Sequence, residues 1–265
     1  MPDSPSPSPA RLALAFAELR RGYDRKSLAA LTLLGVTYGL VGLVWGTQLI
    51  DTSREVDWFL AFTWVLMTAV LCWRIRPRRD AVRVGVGLVG GLAIEAWGTA
   101  TLLWSYWSAE RPPLWIIPAW PVATLAIDRI SGALDTLLPR ARWVERLRTP
   151  MLGAFVALMT WFAWPTIQMW PTQLAIVAML GVVVWRNDAR QDVTLFLGGA
   201  LLGVLLEYWG TSRYCWTYYT KEIPPVTAVL AHGFASVAFQ RGALLVERAL
   251  DRTRTARVAP ATTRQ

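Results

Sequence analysis

Long apolar blocks dominate this sequence and restrict what the chain can fold into. Most have roughly 17–25 residues, the length that a helix needs to cross the hydrocarbon core of a bilayer. A backbone inside lipid must satisfy its own hydrogen bonds, which favours helices, and the blocks do not alternate in polarity as membrane strands do. We therefore predict an all-α, polytopic membrane protein with eight transmembrane helices, at about 28–50, 56–73, 82–107, 113–137, 150–164, 171–185, 193–216 and 225–246.

The composition agrees with this class of protein. Hydrophobic residues make up 54% of the chain and charged residues only 17%, against about 25% charged residues in typical globular domains. Two cysteines do not make a disulfide scaffold, and one histidine does not make a histidine-rich metal site. No metal and no cofactor are expected.

Basic residues indicate the orientation of the spans. The N-terminal tail and every second loop are rich in arginine, whereas the alternate loops hold only Arg54, Arg111 and Lys221. Because cytoplasmic loops carry the excess of Lys and Arg, both termini are predicted to be cytoplasmic, in the inner (plasma) membrane of a bacterium. The formal charge of +9 is spread over all these loops and forms no single basic face, so nucleic acid is not an expected partner.

The sequence also contains an internal duplication at an offset of 112 residues. Residues 73–113 match residues 185–225 without gaps at 15 of 41 positions. Each half holds four predicted spans, so the halves share one orientation and form two parallel four-helix repeats. The predicted order is a tail with an interfacial helix, the first repeat, a basic loop, the second repeat and a cytoplasmic tail, over 1–27, 28–138, 139–149, 150–247 and 248–265.

The duplicated segment carries the motif Glu-x-Trp-Gly-Thr-x4-Trp-x-Tyr. Glycines spaced by four precede it, and such a GxxxG stripe lets two helix backbones approach closely. On one continuous helix the carboxyl, the Thr hydroxyl and the Tyr phenol share a face. The motif residues are Glu95, Trp97, Thr99, Trp104 and Tyr106, and then Glu207, Trp209, Thr211, Trp216 and Tyr218.

The two glutamates are the main catalytic candidates. Glu95 lies about 14 residues into its predicted span, or about 21 Å at roughly 1.5 Å per residue. A carboxyl at that depth destabilises the protein by several kcal/mol unless it is paired or protonated, and it marks a functional site by default. We interpret Glu95 and Glu207 as neutral acids, with hydrogen bonding between helices as the alternative.

Other repeated charged residues and prolines receive structural interpretations. Asp80 and Asp192 are expected to form ion pairs with Arg129 and Arg241 at the cytoplasmic helix ends. Each outer loop ends in Glu-x-Pro-Pro, and its glutamate (Glu110 or Glu222) is expected at the solvated interface. The Pro-Pro pairs at 112–113 and 224–225 are predicted to start the following helices, because proline suits a first helical turn.

The halves diverge at the single histidine. His232 aligns with Trp120 and is predicted near the depth of Glu207, where it is either a helix-packing residue or half of a proton-transfer pair. If one half is active, we expect it to be the second. Most of the 16 tryptophans lie at central or outer depths, which leaves an aromatic belt and an aromatic pocket as alternatives.

A short segment resembles a known family. Glu95, Gly98-Thr99, Trp104-Ser-Tyr106 and Pro113-Leu-Trp-Ile-Ile-Pro118-Ala-Trp120 resemble the bacterial membrane carotenoid-biosynthesis proteins that include carotenoid 1,2-hydratases. The resemblance implies hydration of a carotenoid. Independently, a carboxylic acid in an aromatic cavity suits protonation of an alkene, because aromatic faces stabilise the resulting carbocation.

The resulting hypothesis is a membrane enzyme, a lyase or isomerase, that hydrates or cyclises an isoprenoid lipid. Its alternatives are a transporter or lipid-binding protein, since tryptophan cages also bind quaternary ammonium, and a non-catalytic membrane subunit. The chain is expected to act alone or as a homo-oligomer. The expected catalytic residues are Glu95, Glu207 and His232, and the expected substrate-binding residues are Trp97, Thr99, Trp104, Tyr106, Trp120, Trp209, Thr211, Trp216 and Tyr218.

Overall fold

The computed structural model of the chain describes residues 13, 16–17, 20–49, 55–114, 116–185 and 187–258. The described chain is mainly helical. Its helices are α1 (Arg25–Leu49), α2 (Glu55–Cys72), α3 (Pro77–Ala100), α4 (Ala119–Leu137), α5 (Arg142–Arg146), α6 (Arg148–Phe162), α7 (Trp170–Val184), α8 (Ala189–Ser212) and α9 (Val226–Val258). A 3₁₀ turn, Trp164–Thr166, joins α6 to α7, and two short strands, β1 (Trp104–Tyr106) and β2 (Trp216–Tyr218), pair antiparallel.

Three of the described helices are long and apolar enough to cross a membrane. They are α3, α8, and α9 as far as Thr253. Exposed aliphatic side chains recur at helical spacing on the outer faces of α3 and α8, namely Val84, Leu88, Leu92, Leu197, Leu201 and Val204. Contiguous exposed apolar faces of this kind mark contact with lipid or with another protein, and on helices long and apolar enough to cross a bilayer they indicate membrane association.

The chain divides into two compact units. One contains the described residues up to Pro77 together with Gly132–Leu138, and the other contains Arg78–Ser131 and the chain from Pro139 onward. In the first unit the Trp73 ring lies against Gly22, where it fills the position of a Cβ. The second unit contains every predicted site residue. Most of the predicted interfacial helix falls outside the described residues, although Phe16 is helical and exposed.

Glycines set the spacing of helices in the second unit. α8 meets the backbone of α9 at Gly199, where an added Cβ would lie 2.5 Å from the carbonyl oxygen of His232. The close backbone approach predicted from the GxxxG stripe is therefore confirmed in the second copy. In the first copy, a Cβ on Gly91 would instead lie 2.1 Å from Cγ of Trp120, so this glycine accommodates a ring.

Gly199→Ala should therefore destabilise the protein by about 1–3 kcal/mol, because the added methyl meets rigid backbone. Gly153 in α6 is the matched control, since nothing lies within 4 Å of its Cβ position. Gly153→Ala should be neutral or stabilise the helix by up to about 1 kcal/mol. Thermal unfolding of both variants in detergent, followed by circular dichroism, measures the difference. Equal melting temperatures would contradict the close approach.

The structure corrects several predicted helix boundaries. The predicted spans 82–107 and 193–216 are too long, because α3 ends at Ala100 and α8 ends at Ser212. The last helix extends beyond its predicted end at 246, as far as Val258. The short fifth and sixth spans agree with α6 and α7 to within a few residues.

The end of α3 shows why the helix stops there. Leu102 has φ 58°, in the left-handed region. Its N–H donates to the Thr99 carbonyl at 3.4 Å, and the N–H of Leu103 donates to the Gly98 carbonyl at 3.0 Å. These two bonds form a Schellman motif, which closes a helix and reverses the chain. α8 ends in the same way, with Tyr214 at φ 56°.

The fourth predicted span begins too early. α4 starts at Ala119 rather than at residue 113, because Pro118 lacks an N–H and disfavours a helical conformation in the residue before it. The equivalent position in the second half is Leu230, and α9 starts at Val226, directly after the proline pair. The prediction that a Pro-Pro pair starts the next helix is therefore correct only in the second half.

Buried ion pairs connect neighbouring helices in the second unit, and their arginines lie in the middle of α4 and α9 rather than at the predicted helix ends. Asp80 pairs with Arg129 at 2.6 Å, and Asp192 pairs with Arg241. The predicted ion pairs are therefore confirmed. Asp192 also pairs with Arg148, at 2.7 Å from its Nε, so this carboxylate joins α6, α8 and α9.

Candidate functional site

Glu95 lies near the end of α3, only 4% exposed, and three side chains donate hydrogen bonds to it. Trp104 Nε1 donates to Oε2 at 3.0 Å, and the Tyr106 hydroxyl donates to the same oxygen at 2.7 Å. Trp120 Nε1 on α4 donates to Oε1 at 3.0 Å. Both carboxyl oxygens are therefore hydrogen-bonded, by two residues of β1 and one residue of α4.

Glu207, which is 5% exposed, has the equivalent arrangement at the end of α8. Trp216 Nε1 and the Tyr218 hydroxyl both lie 2.9 Å from Oε2 and donate to it. Oε1 lies 2.9 Å from Nε2 of His232 on α9. The predicted proximity of Glu207 and His232 is therefore confirmed, and the two sites differ in one partner, Trp120 or His232.

The motif glycine explains how each tryptophan reaches its carboxyl. After the chain reverses, the Trp104 ring folds back across Gly98, where an added Cβ would lie 1.9 Å from Cη2. Trp216 crosses Gly210 in the same way, and a Cβ added there would lie 2.0 Å from Cη2 of the Trp216 ring. Gly98 and Gly210 are site residues that the sequence interpretation missed, although their repetition inside the motif was an available signal.

The β1–β2 pair joins the two motifs. Trp104 lies opposite Tyr218, and Tyr106 lies opposite Trp216. The ring centroids of these pairs are 5.9 Å and 6.1 Å apart. The residues that bind one carboxyl thus contact those that bind the other. The second tryptophan and the tyrosine of each motif therefore belong to a strand, which corrects the prediction that they continue the helix.

Both motif tyrosines serve as hydrogen-bond donors. They lie on the short strands, outside the helices that can span a membrane. Burial raises the pKa of Tyr106 and the pKa of Tyr218, and the neighbouring carboxyl groups raise them further. Each phenol therefore keeps its proton near neutral pH and donates it to a glutamate oxygen.

The two glutamates share one cavity of about 230 Å³. Ten of the twelve predicted site residues line it, so the aromatic pocket, one of two explanations for the tryptophans, is present. The exceptions are Thr99 and Thr211. Their hydroxyls donate to the main-chain carbonyls of Glu95 and Glu207, at 2.7 Å and 2.6 Å, instead of reaching a carboxyl or the cavity.

Other residues of this cavity carried no recognisable signal in the sequence. Met159 and Phe162 of α6 line the wall, but apolar residues in an apolar span match no motif. Thr172 of α7 accepts a hydrogen bond from Trp97 Nε1 at 3.1 Å, and thereby orients another lining ring. The fifth and sixth predicted spans thus contribute to a site that sequence reasoning assigned to the duplicated segments.

Two buried polar atoms of the lining lack a protein partner among the described residues. They are Nε1 of Trp209 and Nδ1 of His232. The equivalent of Trp209 in the first half, Trp97, has Thr172 as its acceptor. Buried polar groups are usually hydrogen-bonded, so an unpaired one points to water or a ligand. Both of these atoms belong to the second half.

Within the described residues, the fold and the site define a helical protein with three helices able to cross a membrane and a cavity that holds two carboxyl groups. The part of the chain that the structure describes has no group of three or more His, Cys, Asp or Glu placed to hold a metal ion. No protein-family model, curated protein or solved structure matches the chain.

Proposed function

We propose that this protein is an integral membrane enzyme that protonates a double bond of an isoprenoid or carotenoid lipid. The product then forms by hydration or by cyclisation. The observation that carries this proposal is the 2.9 Å contact between Glu207 Oε1 and His232 Nε2 inside an aromatic cavity. A positioned acid is the group that alkene protonation requires.

The partners of Glu207 support transfer of a proton at Oε1. Trp216 and Tyr218 both donate to Oε2, so that oxygen is already occupied. His232 Nε2 can either donate to Oε1 or accept from it, depending on where the proton resides. The carboxyl and the imidazole can therefore exchange one proton without breaking the rest of the hydrogen-bonded site.

The reaction transfers one proton from the Glu207–His232 pair to the alkene and later returns one proton to the pair. The proton leaves Glu207 and bonds to one alkene carbon, whose π electrons form the new C–H bond and leave a carbocation on the other carbon. In hydration, a water oxygen adds to that carbon and its proton returns to the Glu207–His232 pair. In cyclisation, a second double bond of the lipid attacks the cation, and a proton lost from an adjacent carbon returns to the pair.

The cavity suits one end of a long lipid. Its volume of about 230 Å³ lies below the range of about 300–1,000 Å³ that encloses drug-sized ligands. The terminal part of an isoprenoid fits such a space while the remaining chain lies among the apolar helices. The surrounding indole and phenol rings stabilise positive charge through their π faces.

The proposed membrane arrangement has eight spans, two parallel four-helix repeats and cytoplasmic termini. It is supported by the alternation of basic and non-basic loops. The matched hydrogen bonds of Glu95 and Glu207 also support two related halves. In this arrangement α3 and α8 are equivalent spans, and their carboxyls meet in one intramembrane cavity.

The test is a comparison of lipid extracts from a carotenoid-producing bacterial host. Cells receive the wild-type chain, Glu207→Gln, Glu222→Gln or an empty vector, and the extracts are separated and weighed by mass spectrometry. Glu222 is an exposed loop carboxylate and serves as the matched control. We expect a new lipid with the wild type and with Glu222→Gln, and none with Glu207→Gln or the vector.

The mass of the new lipid separates the two reactions, because hydration adds one water and cyclisation leaves the mass unchanged. A full yield of product with Glu207→Gln would refute the acid role. Identical lipid structures in all cells, with a changed distribution between cells and medium, would favour transport instead.

A further inference from the structure

We propose that the cavity binds a compact organic cation, and that Glu95 is its fixed counter-ion. This inference rests on the proposed function and deepens it, because the carbocation formed there is such a cation. It assigns different roles to the two glutamates. Glu207 exchanges a proton with His232, whereas Glu95, interpreted from the sequence as a neutral acid, is here assigned the ionised state.

The hydrogen bonds of Glu95 support a permanent acceptor. Trp104 and Trp120 offer indole N–H groups, which can donate but cannot accept, and Tyr106 donates its hydroxyl proton. No partner of Glu95 in the described chain is a group that readily takes up or releases a proton, which distinguishes it from Glu207.

The charges around the cavity are unbalanced. Its described lining contains two carboxyl groups and, as the basic group, one imidazole. Sharing of one proton between Glu207 and His232 leaves that pair without net charge or as an internal ion pair. Glu95 then has no cationic partner among the described residues, and a buried unpaired charge is strongly unfavourable. A cationic occupant supplies the missing charge.

The rings beside Glu95 favour an organic cation over a metal ion. Trp97 and Trp104 meet edge to face, with centroids 6.1 Å apart, and both line the cavity with Trp120. Indole is the best ring for cation–π attraction, and the attraction is stronger in a desolvated site than in an exposed one. A trialkylammonium group therefore matches this lining in charge, size and polarity, and mimics a tertiary carbocation.

The experiment measures binding of hexyltrimethylammonium to the full chain in nanodiscs. Equilibrium dialysis with radiolabelled probe is corrected with lipid-only nanodiscs, and the uncharged carbon isostere of the probe is measured beside it. The variants are Glu95→Gln and Glu110→Gln, the second being an exposed loop carboxylate of the same half. We expect saturable binding of the cation, about tenfold or more tighter than its isostere.

Glu95→Gln should weaken the binding of the cation by about tenfold or more, and Glu110→Gln should leave it unchanged. Equal affinities for the cation and its isostere, or unweakened binding by a folded Glu95→Gln, would overturn the proposal. If Glu95→Gln does not fold, the proposal is tested by the wild-type chain alone, through its affinities for the cation and for the uncharged isostere.

The enzyme proposal and the cation proposal fail separately. If the wild-type chain does not bind the cation but Glu207→Gln loses the lipid product, the counter-ion role of Glu95 is refuted and the enzyme proposal stands. If the wild-type chain binds the cation but produces no new lipid, the cation site stands and the enzyme proposal is refuted.

Discussion

His232→Trp is expected to lower lipid product formation by about 10²–10⁴-fold, the range typical of a lost general acid or base, while the protein stays folded. The first half of the molecule shows why folding should survive. There Trp120, the equivalent of His232, donates its Nε1–H to Glu95 Oε1 at 3.0 Å. A tryptophan at position 232 can make the same bond to Glu207, but its indole cannot exchange a proton.

In each half, the residue at this position lies across a glycine of the neighbouring helix. Trp120 lies across Gly91, and His232 lies across the equivalent Gly203, where an added Cβ would be 3.1 Å from Cδ2 of the imidazole. Trp120 and His232 also stack, with centroids 5.6 Å apart. An aromatic residue at 232 therefore keeps a stacking partner.

A second variant separates proton transfer from ring packing. His232→Gln keeps a side-chain N–H donor but removes the titrating group, so it should lose activity to a similar extent. Product formation is measured per amount of folded protein, with melting temperatures as the folding control. Wild-type rates in both variants would show that His232 only packs between helices.

Much of the site followed from helical periodicity and from the duplication. The offset of 112 residues pairs Glu95 with Glu207 and Trp120 with His232, and the depth of each residue within its span brings Glu207 to His232. The Asp–Arg ion pairs followed in the same way. These contacts join residues that are close in sequence or that recur in both repeats. In a helix, the spacing of two residues in the sequence fixes their relative position along and around the helix axis.

The remaining geometry depends on one residue after each helix and on contacts between distant segments. Leu102 and Tyr214 adopt positive φ. Unlike glycine, neither leucine nor tyrosine predicts a left-handed turn at the end of a helix. Tyr106 therefore reaches Glu95 from a strand, although the prediction places it on the same helix face. The β1–β2 pairing joins segments more than a hundred residues apart, and no local pattern encodes such pairing.

The second large effect is expected from Asp192→Asn, which should lower the free energy of unfolding by about 3–5 kcal/mol. Asp192 is fully buried, with an exposed fraction of 0%. It pairs with Arg148 and Arg241, which are themselves buried. Removing the carboxylate charge leaves two guanidinium groups without their counter-ion in a site that water does not reach. The resulting decrease in the free energy of unfolding is larger than the decrease caused by losing one hydrogen bond.

Asp192 also acts at a junction of several elements, which should make its effect global rather than local. Arg148, besides bonding to Asp192, donates to the carbonyls of Val183 and Trp185 at the end of α7, both at 3.0 Å. The control is Asp251→Asn, because Asp251 is exposed and pairs with the exposed Arg78 at 3.1 Å. Exposed pairs contribute about 0–1 kcal/mol, so denaturant titration in mixed micelles should show a large shift only for Asp192→Asn. Equal shifts would mean that water reaches the Asp192 site and screens its charges as it does at the surface.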